Sequence, residues 1–245
     1  VDSPWDLRKA VRRRLRENPD AIKIWATGGG IWRWEAGMDP HYTPEEIQAV
    51  AEECQIRGIP LWSHCFGSAA PSVKAGADFI IHGWELDDET IDTMAEKGIM
   101  LCPTISFLPA WFETYPPKYV PEIHDRFPGE TVTEKELNRI YDNLRKAFAK
   151  GVVLTIGSAS FNSKITPYGD TAIGEIYEFI SKAGIGEMDT IVAATLNGAK
   201  ALRVDDITGS LEAGKSADLL VLDGNPLDDI KAIATDKMAV IMKEG

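Results

Sequence analysis

Three polar residues stand where an apolar strand has least use for them: Lys23 inside AIKIWA (21–26), His64 closing PLWSH (60–64), and His82 near the end of ADFIIHG (77–83). Either histidine alone reads as a satisfied core residue. Two neutral imidazoles on successive strand ends are a common way to hold a divalent metal. A lysine in a parallel strand is costly to bury as an ammonium, so it is paired, neutralised or chemically altered. Two outcomes stay open for Lys23: a salt-bridged structural lysine with its head in water, or a neutral amine that adds carbon dioxide and binds metal as an anionic carbamate. His41, just ahead of the helix start Thr43-Pro44-Glu45-Glu46, and His124, in a long loop, have no partner by spacing and read as surface residues.

The elements that must position these residues follow from the apolar pattern. Apolar runs at 21–26, 60–64, 77–83, 99–104 and 152–157 alternate with helical patterns at 4–18, 43–57, 69–75, 87–97 and 133–150. That alternation is the signature of βα units and a parallel sheet. Helix ends are marked by Gly58, Gly98 and Gly151. Strands of such a sheet are near-continuously apolar, and in an α/β barrel the polar exceptions gather at the C-terminal mouth, where the chemistry sits. The stretch 105–132, rich in Pro and aromatics, reads as a lid or as a packed connector. Helical patterns at 171–184 and 187–202 precede β-rich runs at 217–222 and 237–242, too few strands for a sandwich by themselves. Trp25, Trp32, Trp34, Trp84, Phe66 and Phe107 lie near the rim; Trp25, Trp84 and Phe107 are the candidate substrate contacts, with packing as the alternative. Gly28-Gly29-Gly30 lacks the Lys-Ser/Thr ending of a phosphate loop and suits a close backbone approach instead.

Composition narrows the function classes. With 245 residues the chain can bury a substantial core, and 44% hydrophobic with 26% charged residues is ordinary for a soluble globular protein. A formal net charge of −12 argues against a nucleic-acid partner. The basic run Arg12, Arg13, Arg14 and Arg16 reads as a solvated helical face. Apolar runs are too short for a membrane span, no signal peptide is visible, and Cys54, Cys65 and Cys102 have no disulfide or zinc spacing. The expectation is a cytoplasmic protein with reduced thiols, acting on a small molecule as a homo-oligomer, with no membrane partner. Val1 is expected not to be the natural start of the gene product.

Four stretches carry a resemblance: IKIWATGGG, TPEEIQAVAEECQIRGIPLWSHCFG, AGADFIIHGWELDDETIDTMAEKGIMLCPT and LNGAKALRVDDITGSLEAGKSADLLVLDGNPLDDI. They resemble the amidohydrolase superfamily, in its imidazolonepropionase-like and prolidase-like branch. The resemblance covers nearly the whole chain, and GSLEAGKSADLLVLD is its most specific motif. It implies an α/β fold, an eight-stranded (β/α)8 TIM-type barrel of which strands four to eight are visible, beside part of a small β-sandwich. The barrel portion is expected over 1–204 and the sandwich portion over 205–245. The family's carboxylated lysine falls on Lys23, and its strand-five and strand-six histidines fall on His64 and His82.

Two departures from the family pattern matter. Its first-strand His-x-His pair is absent from this sequence, and Gly157-Ser158-Ala159 places alanine where the family has its metal-binding, general-base aspartate. The more exposed metal of the family's two-metal site keeps its full set in Lys23, His64 and His82; the buried metal loses all but Lys23. The resemblance therefore implies a metal-dependent hydrolase of an amide or other C–N bond, with a dipeptide-like or cyclic amide substrate. One or two divalent ions are expected, zinc by default, with a carbon dioxide-derived carbamate on Lys23 and reduced activity at Ala159. The alternatives are a non-catalytic metal-binding or interaction module, and a half-barrel completed by another chain.

Overall fold

Each strand of the sequence pattern is short, and each is followed by a helix whose start and stop are written locally. Thr43 and Glu46 form a reciprocal capping box at the start of α2 (Pro44–Arg57), and Gly58 ends it in the left-handed region at φ +64. Asp87 caps α4 (Asp88–Lys97) by accepting from Thr90 N–H at 2.7 Å. The computed structural model describes residues 2–28, 39–106, 134–160 and 167–245. Trp32, Trp34, Phe107, His124 and most of the 105–132 stretch lie outside the described residues. The chain divides into two compact units, Val1–Pro103 with Pro117–Val153, and Thr104–Pro116 with Leu154–Gly245.

In the first unit, β1 (Ile22–Trp25), β2 (Leu61–Cys65), β3 (Phe79–His82) and β4 (Met100–Cys102) form one parallel sheet in the order β1-β2-β3-β4. Crossovers pass through α2, α3 (Ala70–Ala75) and α4. Right-handed crossovers in strict sequential order put all of the helices on the same face, as in a barrel wall; a doubly wound sheet reverses its order instead. Ser63 Oγ lies 2.7 Å from Ser72 Oγ of α3, so the Ser63 and Cys65 side of β2 faces the helices. By alternation Lys23, Trp25, Trp62, His64, Phe79 and Ile81 share the other face, in the register Lys23 with Trp62, Trp25 with His64, Trp62 with Phe79, and His64 with Ile81.

Helix α1 (Pro4–Leu15) buries Leu7, Val11 and Leu15, one face at helical spacing, and packs on α2. Arg12 Nε and Nη2 donate to the buried Glu53 carboxylate at 2.8 and 2.6 Å, and Arg8 reaches both Glu52 and Glu53. The basic run is therefore more than a solvated face: Arg12 ties two helices together, because Glu53 is only 5% exposed and needs donors. Helix α5 (Glu134–Ala149) contributes Ile140, Tyr141, Leu144 and Ala147 to the core. The run 152–157 forms no extended strand; Val153 O accepts Leu101 N–H at 2.9 Å and Leu154 is a single bridge residue.

The second unit holds α6 (Asp170–Ser181), α7 (Glu187–Ala194), α8 (Leu196–Ala201) and an antiparallel ribbon of β5 (Leu219–Leu222) and β6 (Met238–Met242). The single helix expected over 187–202 is two, broken at Thr195 (φ −123, ψ −87), whose hydroxyl donates back to Ile191 O at 2.7 Å. Glu175 is fully buried in α6 and accepts from Ile105 N–H and Ser106 N–H at 2.9 and 2.7 Å. No helix among the described residues is long and apolar enough to cross a membrane. Cys54, Cys65 and Cys102 are buried and free of disulfides.

Candidate metal centre

Strand alternation accounts for Lys23 and His64 on one face but leaves His82 on the wrong side. His82 pairs with Cys65, which faces α3, so a regular strand would turn its imidazole toward the helices. Instead His82 takes φ +73 and Gly83 follows at φ +60, with Gly83 N–H donating to Cys65 O at 2.8 Å. A non-glycine residue in the left-handed region is uncommon and costly. Here the break swings the ring onto the face of His64, so that His82 Nε2 lies 3.1 Å from His64 Nδ1. A substitute at Gly83 would be strained at φ +60, and its Cβ would come 2.7 Å from Leu101 Cδ1 and displace that methyl group.

An aromatic setting holds the two rings. Trp25 stacks flat on His64 with centroids 4.2 Å apart and 3° between planes. Phe66 meets His64 edge-on at 4.6 Å and lies 4.1 Å from His82. Thr27 Oγ1 accepts from Phe66 N–H and Gly67 N–H at 2.9 and 3.2 Å, tying the ends of β1 and β2. His64 and His82 are 4% and 5% exposed, and both are held well below the ordinary imidazole range. Burial is the main cause; the charge of Lys23 adds to it at both rings, and His64 is pushed down to about 3. Both are therefore neutral at physiological pH, the state that ligates metals. His64 Nε2 is buried with no hydrogen-bond partner among the described residues.

Lys23 pairs with Trp62, two residues before His64 on the same face, and is exposed as a residue. Loss of water around its ammonium lowers its pKa, with the Cys102 sulfur opposing. A lowered pKa enlarges the neutral fraction, which is the form that adds carbon dioxide. Among the described residues no three His, Cys, Asp or Glu side chains converge on a metal position. Lys23 lies on the same strand face as His64. Two nitrogens on one tetrahedral zinc, each at about 2.0–2.1 Å, stand roughly 3.3 Å apart; the 3.1 Å separation fits that chord.

The other expected residues fall in different surroundings. Trp25 is 40% exposed. Trp84 is 6% exposed; its Nε1–H donates to Pro103 O at 2.9 Å and its carbonyl accepts from Asn143 Nδ2, so it backs Phe66 as packing. Phe107 lies outside the described residues. Ala159 belongs to the second unit and holds φ +47, a conformation that suits Asp or Asn better than Ala. His41, read from the sequence as a surface residue, is exposed, yet its charge contributes to lowering the His64 pKa.

The amidohydrolase family model matches residues 2–245. Ochratoxinase of Aspergillus niger is 28% identical over 251 residues, covering 100% of this chain and 49% of that protein. Imidazolonepropionase of Picrophilus torridus is 37% identical over 106 residues, covering 42% of this chain and 24% of that protein. Among solved structures, a Xaa-Pro dipeptidase with methionine bound in its active site superposes with a TM-score of 0.83 at 31% identity, over 100% of this chain and 58% of the other. The chain thus spans about half the length of the ochratoxinase it matches end to end. It belongs to the amidohydrolase family.

Proposed function

We propose that this chain carries the exposed-metal half of an amidohydrolase site and serves hydrolysis of a C–N bond in a small dipeptide-like or cyclic amide. The observation that carries the reading is the convergence of His64 Nδ1 and His82 Nε2 at 3.1 Å, both rings neutral and turned together by a strained backbone. Lys23 as a carbamate, His64 and His82 would hold one divalent ion, zinc by default. Such an ion lowers the pKa of a bound water to about 7 and polarises the scissile carbonyl. Trp25 stacks flat on the His64 ring and, being 40% exposed, would contact an apolar part of the substrate. The similarity to a dipeptidase and to ochratoxinase supports the C–N bond class.

Zinc titration of the metal-stripped chain tests the site, read by equilibrium dialysis and by Trp25 fluorescence. One equivalent is expected, lost on Lys23→Ala or on His82→Ala. Bicarbonate enriched in carbon-13 is expected to give a carbamate signal that Lys23→Ala lacks. Metal content indifferent to both substitutions would sink the assignment.

Ala159 favours a second reading, a metal-binding relative without turnover, because alanine cannot take the proton from an attacking water.

A further inference from the structure

Thr27 stands just past the end of β1 and is 2% exposed, so its hydroxyl must find its partners within the protein. It finds two in the chain that leaves β2: Phe66 N–H and Gly67 N–H donate to Thr27 Oγ1 at 2.9 and 3.2 Å. A threonine hydroxyl has two acceptor lone pairs, enough for both donors. The isosteric valine has none. Backbone bonds extend the tie on either side: Ala26 N–H and Thr27 N–H donate to His64 O at 3.0 and 3.3 Å, and Gly83 N–H donates to Cys65 O at 2.8 Å. The ends of β1, β2 and β3 are thereby joined, and one side chain, that of Thr27, sets where Phe66 starts.

Phe66 is 5% exposed, and its ring touches both imidazoles. It lies 4.1 Å from the His82 ring at a tilt of 30° and meets His64 edge-on at 4.6 Å. Behind it stands Trp84, 4.1 Å away and itself bonded through Nε1–H to Pro103 O. The positive φ of His82 brings its imidazole to the His64 face, but the backbone leaves its χ angles to be chosen among rotamers. Contact with Phe66 favours the rotamer that puts His82 Nε2 3.1 Å from His64 Nδ1. Trp25 stacks on His64 and Trp84 meets His82, whereas Phe66 packs on the two together.

We propose that Thr27 and Phe66 are positioning residues: the Thr27 hydroxyl seats the loop that leaves β2, and the Phe66 ring it carries holds His64 and His82 at ligating separation before any ion binds. Both act through the imidazoles. The consequence for metal affinity rests on the metal-site reading above, while the arrangement of the ring pair stands apart from it. Groups that fix the orientation of a ligating histidine typically contribute about 10–100-fold to metal affinity.

The experiment compares parent, Thr27→Val, Thr27→Ser and Phe66→Leu chains, each checked for folding by far-ultraviolet circular dichroism. In the metal-free chain, nitrogen-15 NMR of the imidazoles reads the hydrogen bond between His64 and His82, assigned by its loss in His82→Ala. The bonded pair is expected in the parent and in Thr27→Ser, which keeps the hydroxyl, and is expected to be lost in Thr27→Val and Phe66→Leu. Zinc affinity, read by competition with a chelator, is expected to fall about tenfold or more in those two variants and to be retained in Thr27→Ser. A parent without the bonded pair, a folded Thr27→Val or Phe66→Leu chain that keeps it, or a Thr27→Ser chain that loses it would each overturn the role. A parent that binds no zinc, yet loses the bonded pair on Thr27→Val, sinks the metal reading and leaves the positioning role standing.

Discussion

The cost of the site is concentrated in single residues at strand ends. His82 and Ala159 both hold positive φ, at +73 and +47. For His82 the strain turns a ring through the plane of the sheet, and the neighbouring Gly83 removes the Cβ that would otherwise strike Leu101. For Ala159 the same strain has no visible return in this chain. A left-handed alanine costs on the order of 1 kcal/mol, whereas aspartate tolerates the conformation. Ala159→Asp is accordingly expected to leave thermal stability unchanged or slightly raised. If Ala159 stands in for a general base, the substitution should also raise amide turnover by about 10²–10⁴-fold, the usual worth of such a group. Steady-state kinetics on N-acyl amino acids decides it: a parent chain as fast as the variant would refute the assignment of Ala159. Lys23, His64 and His82 were legible as candidates because polar residues in apolar strands are conspicuous. The φ of His82 was not, since alternation predicts the opposite face.

At the level of elements, most boundaries follow from local chemistry: the Thr43 and Asp87 caps and the left-handed Gly58 and Gly98 stand where side-chain type demands them. Thr195 splits a helix that apolar spacing presents as continuous, because its hydroxyl competes for an Ile191 carbonyl. Glu175 was unreadable as a core residue. Its carboxylate caps two backbone N–H groups at Ile105 and Ser106, yet burial outweighs those bonds and lifts its pKa from 4.5 to about 7. The native state therefore favours the protonated form. This contribution to stability is complete below about pH 4.5 and is lost as pH rises through 7, on the order of 3 kcal/mol. His64 acts in the opposite sense: with its pKa depressed to about 3, its contribution is complete above about 6.5 and is lost as pH falls toward 3. Glu175→Gln should remove the opposing trend and steepen the loss of stability on acidification between pH 7 and 4.5. Urea midpoints across that range measure it; a profile parallel to the parent's would count against a titrating Glu175.

On the scale of the molecule, the formal charge is −12, and Arg8 and Arg12 are engaged in tying α1 to α2. Duplex DNA at about 0.15 M salt is expected to give no mobility shift at micromolar protein; a salt-dependent complex would show a basic patch that the sequence conceals. The sequence by itself determined the βα alternation, the helix caps, the family and three candidate ligands. Each of these depends on residues near one another along the chain, or on motifs that survive intact as strings. Only the tertiary structure decided that the helices lie on one side of β1-β2-β3-β4, and that Trp84 is buried while Trp25 is partly exposed. It also decided that His64 and His82 meet edge to edge. Those facts depend on register and on a single left-handed residue, and a one-residue slip in either would send the same side chains to the opposite face.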